Sequence, residues 1–107
     1  MEINETRLLG MLGFAMRAGK LIIGTESVCR AMAKGLPKLV LVSLAASEGT
    51  KKKLTVKCEF YGIPYKMLPM EAERLGKQLG KTFAPMAIAV TDSGFSEEIV
   101  KALNPKT

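Results

Sequence analysis

The sequence contains no histidine and no tryptophan, and it has only two cysteines, Cys29 and Cys58. Without histidine, and with the cysteines far apart in the chain, neither a zinc ligand set nor a Cys-His nucleophile can be assembled. Clustered carboxylates and nucleophile-base pairs are also missing, which argues against catalysis. We therefore expect no metal site, no cofactor and no small-molecule substrate, and we interpret both cysteines as buried thiols.

Aromatic residues are also scarce, at 6% of the chain, and no run of Phe or Tyr alternates with basic residues. This composition argues against the aromatic-rich sheets on which single-stranded nucleic acids stack. In contrast, 16 Lys and Arg outnumber 10 Asp and Glu, and the net charge is +6. An excess of positive charge favours polyanions through counterion release. Structured RNA or DNA is therefore the expected partner.

No apolar run approaches the roughly 18 residues that a membrane span requires. The first five residues, MEINE, are acidic where a signal peptide needs positive charge. We expect a cytoplasmic protein with reduced thiols and no membrane contact. A length of 107 residues with 48% hydrophobic composition fits one domain, residues 1–107.

Helical and extended patterns alternate along the chain in the order α-β-α-β-α-β-α-β-α. Helices are predicted at about 4–19, 25–34, 47–61, 69–80 and from 96 onward, and strands at 21–23, 38–44, 65–68 and 86–91. Asn4 and Ser96 are predicted helix caps, and Leu54, Cys58 and Tyr61 form the predicted inward stripe of the third helix. This order predicts an α/β fold, a three-layer α/β/α sandwich with helices on both faces of a four-stranded mixed or mostly parallel sheet. The apolar segment 39–42 is expected at its centre, buried on both faces.

The most informative local feature is the segment around Gly24, where an apolar strand leads directly into a helix. The first turn of a helix has N–H groups without intrahelical partners and carries partial positive charge, so it can bind a phosphate or a base-edge acceptor. Thr25 is a possible cap, and Glu26, Ser27 and Arg30 share one face, with Glu26 and Arg30 spaced as an ion pair. The alternative is an ordinary capped helix start.

The lysines allow two interpretations. Lys20 and Lys34 flank the Gly24 segment in sequence, so they are candidates for positioning a phosphate. The run 51–53 is better interpreted as a solvated helix face than as an RNA contact. The glycines of segment 75–80 lack the spacing of a Walker motif and are assigned to helix packing and a helix stop.

Four stretches together resemble the ribosomal protein family named after archaeal L-seven-Ae and eukaryotic L-thirty-e, and in particular its small bacterial YlxQ-type branch. They are segments 18–20 with 23–25, 35 with 38–42, 62–65, and 75–80 with 87–90. The resemblance covers nearly the whole chain. It implies a non-catalytic protein that binds kink-turn RNA, an internal loop of sheared G·A pairs that bends the helix sharply.

The resemblance also implies three contact regions. The start of the second helix, with Gly24, Glu26, Ser27 and Arg30, would enter the groove at the G·A pairs. The loop before the last strand would pack against a flipped-out base, and the turn at 45–47, including Ser47, would close the pocket for that base. The residues of the loop are Phe83, Ala84, Pro85 and Met86.

This chain departs from the family pattern at three of these positions. Many kink-turn binders have Asn or Lys in place of Glu26 and Glu or Gln in place of Ser27, and several have Lys in place of Ile23. These departures favour a variant motif, or an RNA that another partner already holds.

From the sequence we therefore predict an RNA-binding protein associated with the ribosome or with another structured RNA. Two other functions remain open at this stage. One is a protein-protein adaptor in a translation or ribosome-assembly complex. The other is a small phosphate-handling enzyme with its site at Gly24, which the lack of catalytic groups disfavours.

Overall fold

A computed structural model describes residues 5–68, 72–81 and 85–103, and in these residues five helices alternate with four strands. The elements are α1 (Glu5–Arg17), β1 (Leu21–Ile23), α2 (Thr25–Ala33), β2 (Leu39–Ser43), α3 (Glu48–Tyr61), β3 (Tyr65–Leu68), α4 (Ala72–Gln78), β4 (Ala87–Val90) and α5 (Ser93–Leu103). The predicted order of elements is confirmed. The predicted cap at Asn4 and the predicted helix start at residue 69 lie outside the described residues.

The four strands form one mixed sheet in the order β1-β4-β2-β3. Strand β4 pairs antiparallel with both β1 and β2, whereas β2 and β3 are parallel. A mixed sheet is confirmed, but a mostly parallel one is not, because β4 inserts between β1 and β2. Strands β1, β2 and β3 therefore run in one direction and end at the same edge of the sheet, where β4 begins. We call this the carboxyl edge.

Strand β2 is buried along its whole length, as its continuous apolar sequence predicts. Leu39 and Leu41 face one side, and Val40 and Val42 face the other. The leucine side packs against α1, α4 and α5 through Leu8, Leu12, Leu75, Leu79 and Ile99. The valine side packs against α2 and α3 through Val28, Met32, Leu54 and Cys58. Because side chains alternate along a strand, one apolar run supplies both cores of the three-layer α/β/α sandwich.

Two side chains of the α2–α3 layer are less buried than predicted. Tyr61 is exposed, since it lies at the end of α3 and its ring meets that of Phe60 edge-on at the surface, 4.9 Å away. Gly62, with φ of 70°, then ends the helix in the left-handed conformation that favours glycine. Cys29 is partly buried, whereas Cys58 is fully buried between α3 and the sheet.

Helix α5 begins three residues before the predicted cap. Its first turn is capped by Asp92, whose Oδ2 accepts a hydrogen bond from the backbone N–H of Phe95 at 2.9 Å. The predicted cap, Ser96, lies inside the helix and donates its hydroxyl to the carbonyl of Asp92 at 2.8 Å. Both Asp and Ser are common N-caps, so the segment between β4 and Ile99 contains several eligible residues. In the structure the side chain of Asp92, in the turn after β4, is the one that caps the helix.

Replacing Asp92 by Ala is expected to lower the free energy of unfolding by about 1 kcal/mol, because the N–H of Phe95 loses its acceptor. Urea unfolding followed by circular dichroism measures the change. Ser96→Ala is the matched control and should cost less, since its hydroxyl donates to the carbonyl of Asp92, which already accepts the backbone N–H of Ser96. A larger loss for Ser96→Ala than for Asp92→Ala would contradict this assignment of the cap.

The two thiols are expected to react at different rates with Ellman's reagent at about pH 8. Burial raises the pKa of Cys58 from 9.0 to about 11, with smaller contributions from Cys29 and Glu59. Cys58 therefore stays protonated and inaccessible, and the partly buried Cys29 should react first. Since the pKa of Cys58 is raised on folding, the Cys58 thiol stabilises the folded state below pH 9.0, and this contribution is lost as the pH rises through about 11. Cys29→Ser should remove the fast phase of the reaction, and equal reactivity of both thiols in the wild type would refute the assignment of that phase to Cys29.

Candidate nucleic-acid interface

Helix α2 begins with an open first turn. Gly24 is its N-cap, with φ of 109° and ψ of 143°, and no side chain caps the helix. The N–H of Gly24 donates to the carbonyl of Ala87 in β4 at 2.9 Å, and its carbonyl accepts the first helical bond from Val28 at 2.9 Å. In the described part of the chain, the N–H groups of residues 25–27 have no acceptor. The predicted cap Thr25 is instead the first helical residue, because the N-cap position is taken by Gly24, one residue earlier.

The side chains of this turn are arranged differently from the sequence prediction. Glu26 and Arg30 are exposed, and no ion pair between them occurs among the described residues. Nη2 of Arg30 instead donates to Oγ of Ser27 at 3.3 Å. This bond uses one of the five guanidinium donors, and no other partner of the Arg30 side chain occurs among the described residues. The carboxylate of Glu26 remains an available acceptor.

The start of β4 lies next to the open turn. The carbonyl of Met86 accepts a hydrogen bond from the N–H of Ser43 at 2.9 Å, which fixes the end of the preceding loop against β2. Pro85 is buried and Met86 is partly buried. Two further residues predicted for this loop, Phe83 and Ala84, lie outside the described residues.

The turn between β2 and α3 forms the third part of this edge. Oγ of Ser43, a buried hydroxyl, accepts from the N–H of Ala45 at 3.0 Å and holds the turn. Ser47 caps α3, since its Oγ accepts from the N–H of Thr50 at 3.1 Å and pairs with the Thr50 hydroxyl. The side chain of Ser47 thus stabilises the first turn of α3. Ser43 was not among the predicted site residues, although the sequence carries a signal for it, a polar residue at the end of an otherwise apolar strand.

The topology of the sheet brings these three regions together at the carboxyl edge. The register pairs Ile23 with Ile88 and Val42 with Ala87, so β1 and β2 end on either side of the point where β4 begins. Helices α2 and α3 both start at this edge and pack on the same face of the sheet. In open α/β sheets, the crevice outside the carboxyl ends of the strands is where ligands bind. The Gly24 turn, the residues before β4 and the 45–47 turn therefore form one continuous candidate interface.

The structure does not bring Lys20 and Lys34 to this edge. Lys20 precedes β1, and its carbonyl accepts from Thr91 at the opposite end of the sheet. The length of β1 separates it from Gly24 by about 13 Å. Lys34 is the C-cap of α2, about 15 Å along the helix from Gly24. Adjacency in sequence placed both lysines near the site, whereas each lies at the far end of a regular element.

The lysine run 51–53 lies on α3 beyond this edge. Nζ of Lys51 pairs with the carboxylate of Glu48 at 3.2 Å, and Lys52 and Lys53 are exposed. The predicted solvent-facing position of this run is confirmed for Lys52 and Lys53, while Lys51 is partly buried.

Within the described ranges, no group of three or more His, Cys, Asp or Glu residues is placed to hold a metal ion. Over the same part of the chain, no helix has the length and apolar character needed to cross a membrane.

The profile of the Ribosomal protein L7Ae/L30e/S12e/Gadd45 family matches residues 6–100. The chain belongs to this family. RNA-binding protein YlxQ of Bacillus subtilis is 39% identical over 94 residues, which cover 88% of this chain and 92% of that protein. Large ribosomal subunit protein eL30 of Pyrobaculum neutrophilum is 33% identical over 86 residues, or 80% of this chain and 85% of that protein. The family resemblance predicted from the sequence is confirmed.

Solved structures share the fold. A Bacillus halodurans protein of unknown function superposes with a TM-score of 0.83 at 38% identity, covering 92% of this chain and 97% of that one. The Giardia lamblia 15.5kD RNA binding protein superposes with a TM-score of 0.75 at 14% identity, covering 94% and 85%. At that identity the second match concerns the fold alone. The named family relatives are RNA-binding and ribosomal proteins, in agreement with the prediction that this chain is not an enzyme.

Proposed function

We propose that this protein is a single-domain, non-catalytic RNA-binding protein that acts in the cytoplasm in association with the ribosome and recognises kink-turn or similarly bent RNA. The RNA-binding protein YlxQ and the ribosomal protein eL30, to which the chain is similar along most of its length, support binding to structured RNA. The finer proposal, recognition of a kink, rests on the carboxyl edge of the sheet.

The observation that carries the proposal is the open first turn of α2. Three N–H groups, those of residues 25–27, point out of a helix start that Gly24 leaves without a capping side chain. Partial positive charge at a helix N-terminus and free N–H donors bind phosphate oxygens or base-edge acceptors. Arg30, one turn along the helix, adds a guanidinium that can reach a phosphate or a guanine edge.

Glu26 gives this turn its base preference in our proposal. An exposed carboxylate next to phosphates is unfavourable unless it accepts hydrogen bonds from bases. Sheared G·A pairs present guanine N–H groups in the groove, and Glu26 is placed on the first turn of the helix that would enter there. A carboxylate can accept two such N–H groups, so it would favour guanine at that position.

The flipped-out base is proposed to lie between the two loops that flank the start of β4. Met86, which is partly buried and follows the buried Pro85, offers apolar surface on one side, and the exposed Ala45 offers a small side chain on the other. Phe83 and Ala84 join this pocket only through the family resemblance, and Ser47 contributes through the turn that it stabilises. Lys20 and Lys34, at the far ends of β1 and α2, are proposed to act through the overall positive potential and not at the kink.

A salt-series titration tests this proposal. The protein is titrated against a simple kink-turn RNA and against a control in which the sheared G·A pairs are converted to Watson-Crick pairs, from about 50 to 200 mM salt. We expect tight binding to the kinked RNA alone. Equal, weak and salt-sensitive binding to both RNAs would refute recognition of the kink and leave only nonspecific attraction by the basic surface. If neither RNA binds at low salt, the adaptor function considered from the sequence replaces this proposal.

A further inference from the structure

The solvent-facing side of α3 carries two large apolar side chains that are not buried in the core. Phe60 is 80% exposed and Val56, one turn before it, is 52% exposed. Both lie opposite the buried stripe of Leu54 and Cys58, so the helix has a second apolar stripe that faces solvent. We define the outer face of α3 as Lys52, Lys53, Val56 and Phe60.

The aromatic ring on this face contacts a second aromatic ring. Phe60 and Tyr61 meet edge-on, with ring centroids 4.9 Å apart and planes at 85°. A large exposed aromatic side chain is a suitable surface on which a planar group can stack.

The charge on this face is positive at Lys52 and Lys53, and the neighbouring carboxylate of Glu59 accepts a hydrogen bond from the hydroxyl of Tyr65 at 3.5 Å. Lys52 and Lys53 lie one turn before Val56 on the outer face, and the partly buried Lys57 follows it. Protein-protein interfaces are depleted in lysine, whereas proteins that bind single strands combine lysines for the phosphates with aromatic rings on which bases stack. The combination of lysines and an exposed ring therefore favours RNA over a protein partner.

The outer face is also continuous with the candidate interface. Helix α3 starts at the carboxyl edge, where Ser47 caps it, and Phe60 lies 13 residues along the helix from Ser47. At 1.5 Å per residue this distance is about 20 Å. A strand that leaves an RNA bound at the carboxyl edge can follow α3 outward, first past the two lysines and then to the ring.

We propose that the outer face of α3 is a second RNA contact, which binds an unpaired strand flanking the bent RNA. Lys52 and Lys53 contact its phosphates, and one base stacks on Phe60. This inference rests on the proposed function, because the bent RNA determines where the strand leaves. It adds a preference for RNAs that have a single-stranded extension beside the kink.

The test compares kink-turn RNAs with and without an overhang of about ten uridines, placed in turn at each strand end. The wild-type protein is expected to bind one of the tailed RNAs about tenfold more tightly than the tailless RNA. Phe60→Ala should remove most of that gain, since the contacts of Lys52 and Lys53 remain, and should leave binding to the tailless RNA unchanged. Phe14→Ala is the matched control, since Phe14 is also an exposed phenylalanine, 56% accessible, but lies on α1 in the opposite layer.

A second variant tests the lysines. Replacing both Lys52 and Lys53 by Gln should lower the slope of log affinity against log salt by about 1.4 for the tailed RNA, since each single-strand phosphate contact contributes about 0.7. The slope for the tailless RNA should not change. If the two lysines are only solvated, the double variant will show the wild-type slope with both RNAs, and that result would overturn their assigned role.

Failure of this inference is distinguishable from failure of the proposed function. If the tailless kink-turn does not bind, the proposed function fails, but loss of tailed-RNA binding in Phe60→Ala still supports the contact on α3. If no overhang improves binding, or if Phe60→Ala and wild type gain equally, the inference is wrong. Self-association of the wild type in sedimentation experiments that Phe60→Ala abolishes, without an effect of the overhang, would identify the face as a protein interface instead.

Discussion

Charge reversal at Arg30 (Arg30→Glu) is expected to weaken binding to kink-turn RNA by about thirtyfold, or about 2 kcal/mol. The variant loses a guanidinium beside the open start of α2 and places a carboxylate next to the RNA phosphates. Stability should hardly change, because Arg30 is exposed and its one described hydrogen bond is to the hydroxyl of Ser27. Affinity is measured by titration at moderate salt, and folding by circular dichroism.

The matched control is Arg17→Glu, which lowers the net charge by the same amount. Arg17 is an exposed residue at the end of α1, where its guanidinium lies over the ring of Phe14 at 4.9 Å, away from the carboxyl edge. Arg17→Glu should reduce the affinity for RNA only through the overall electrostatic potential, by a small factor that disappears as the salt concentration is raised. An equal loss in both variants would mean that Arg30 contributes charge but no contact, and the helix start would no longer be a supported site.

The largest effect on stability is expected for Leu41→Ala. Leu41 is fully buried in β2, an interior strand of the sheet, and it belongs to the core under α1, α4 and α5. Its truncation leaves a cavity between layers and should cost about 3 kcal/mol. For a domain of this size that is a large part of the total free energy of unfolding. Urea unfolding monitored by far-ultraviolet circular dichroism gives the value.

Leu44→Ala makes the same chemical change three residues further along the chain. Leu44 follows β2 and is 49% exposed, so its truncation should change the free energy of unfolding by about 0.5 kcal/mol or less. Because both variants replace Leu by Ala, the difference between their free energies of unfolding measures the effect of burial alone. If Leu41→Ala were as mild as Leu44→Ala, the continuous burial of β2 on both faces would be wrong.

Much of the fold was predictable because its signals are local. The alternation of helical and extended patterns predicted all the elements, and the apolar run at 39–42 predicted a strand covered on both sides. Gly24 between an apolar strand and a helix predicted an exposed helix start, and the structure places a glycine with φ of 109° there. Periodicity and the backbone freedom of glycine depend on neighbouring residues only, so they can be recognised without a structure.

Only the tertiary structure decided which of these local features meet. The antiparallel insertion of β4 between β1 and β2 brings the Gly24 turn, Met86 and the 45–47 turn to one edge, and strand pairing is a long-range choice that periodicity does not encode. The same topology places Lys20 at the opposite end of the sheet, despite its closeness in sequence to Gly24.

Competition between nearby polar groups was also resolved only in three dimensions. Arg30 bonds to Ser27 and not to Glu26, and Asp92 caps α5 in place of Ser96. In each case several residues satisfy the same local rule, and only the positions of the side chains in the structure show which of them forms the bond. The sequence alone thus determined the elements, the buried strand and the family, because these depend on composition and spacing. The packing of the sheet decided the interface, because a site is made by residues distant in the chain that share one edge.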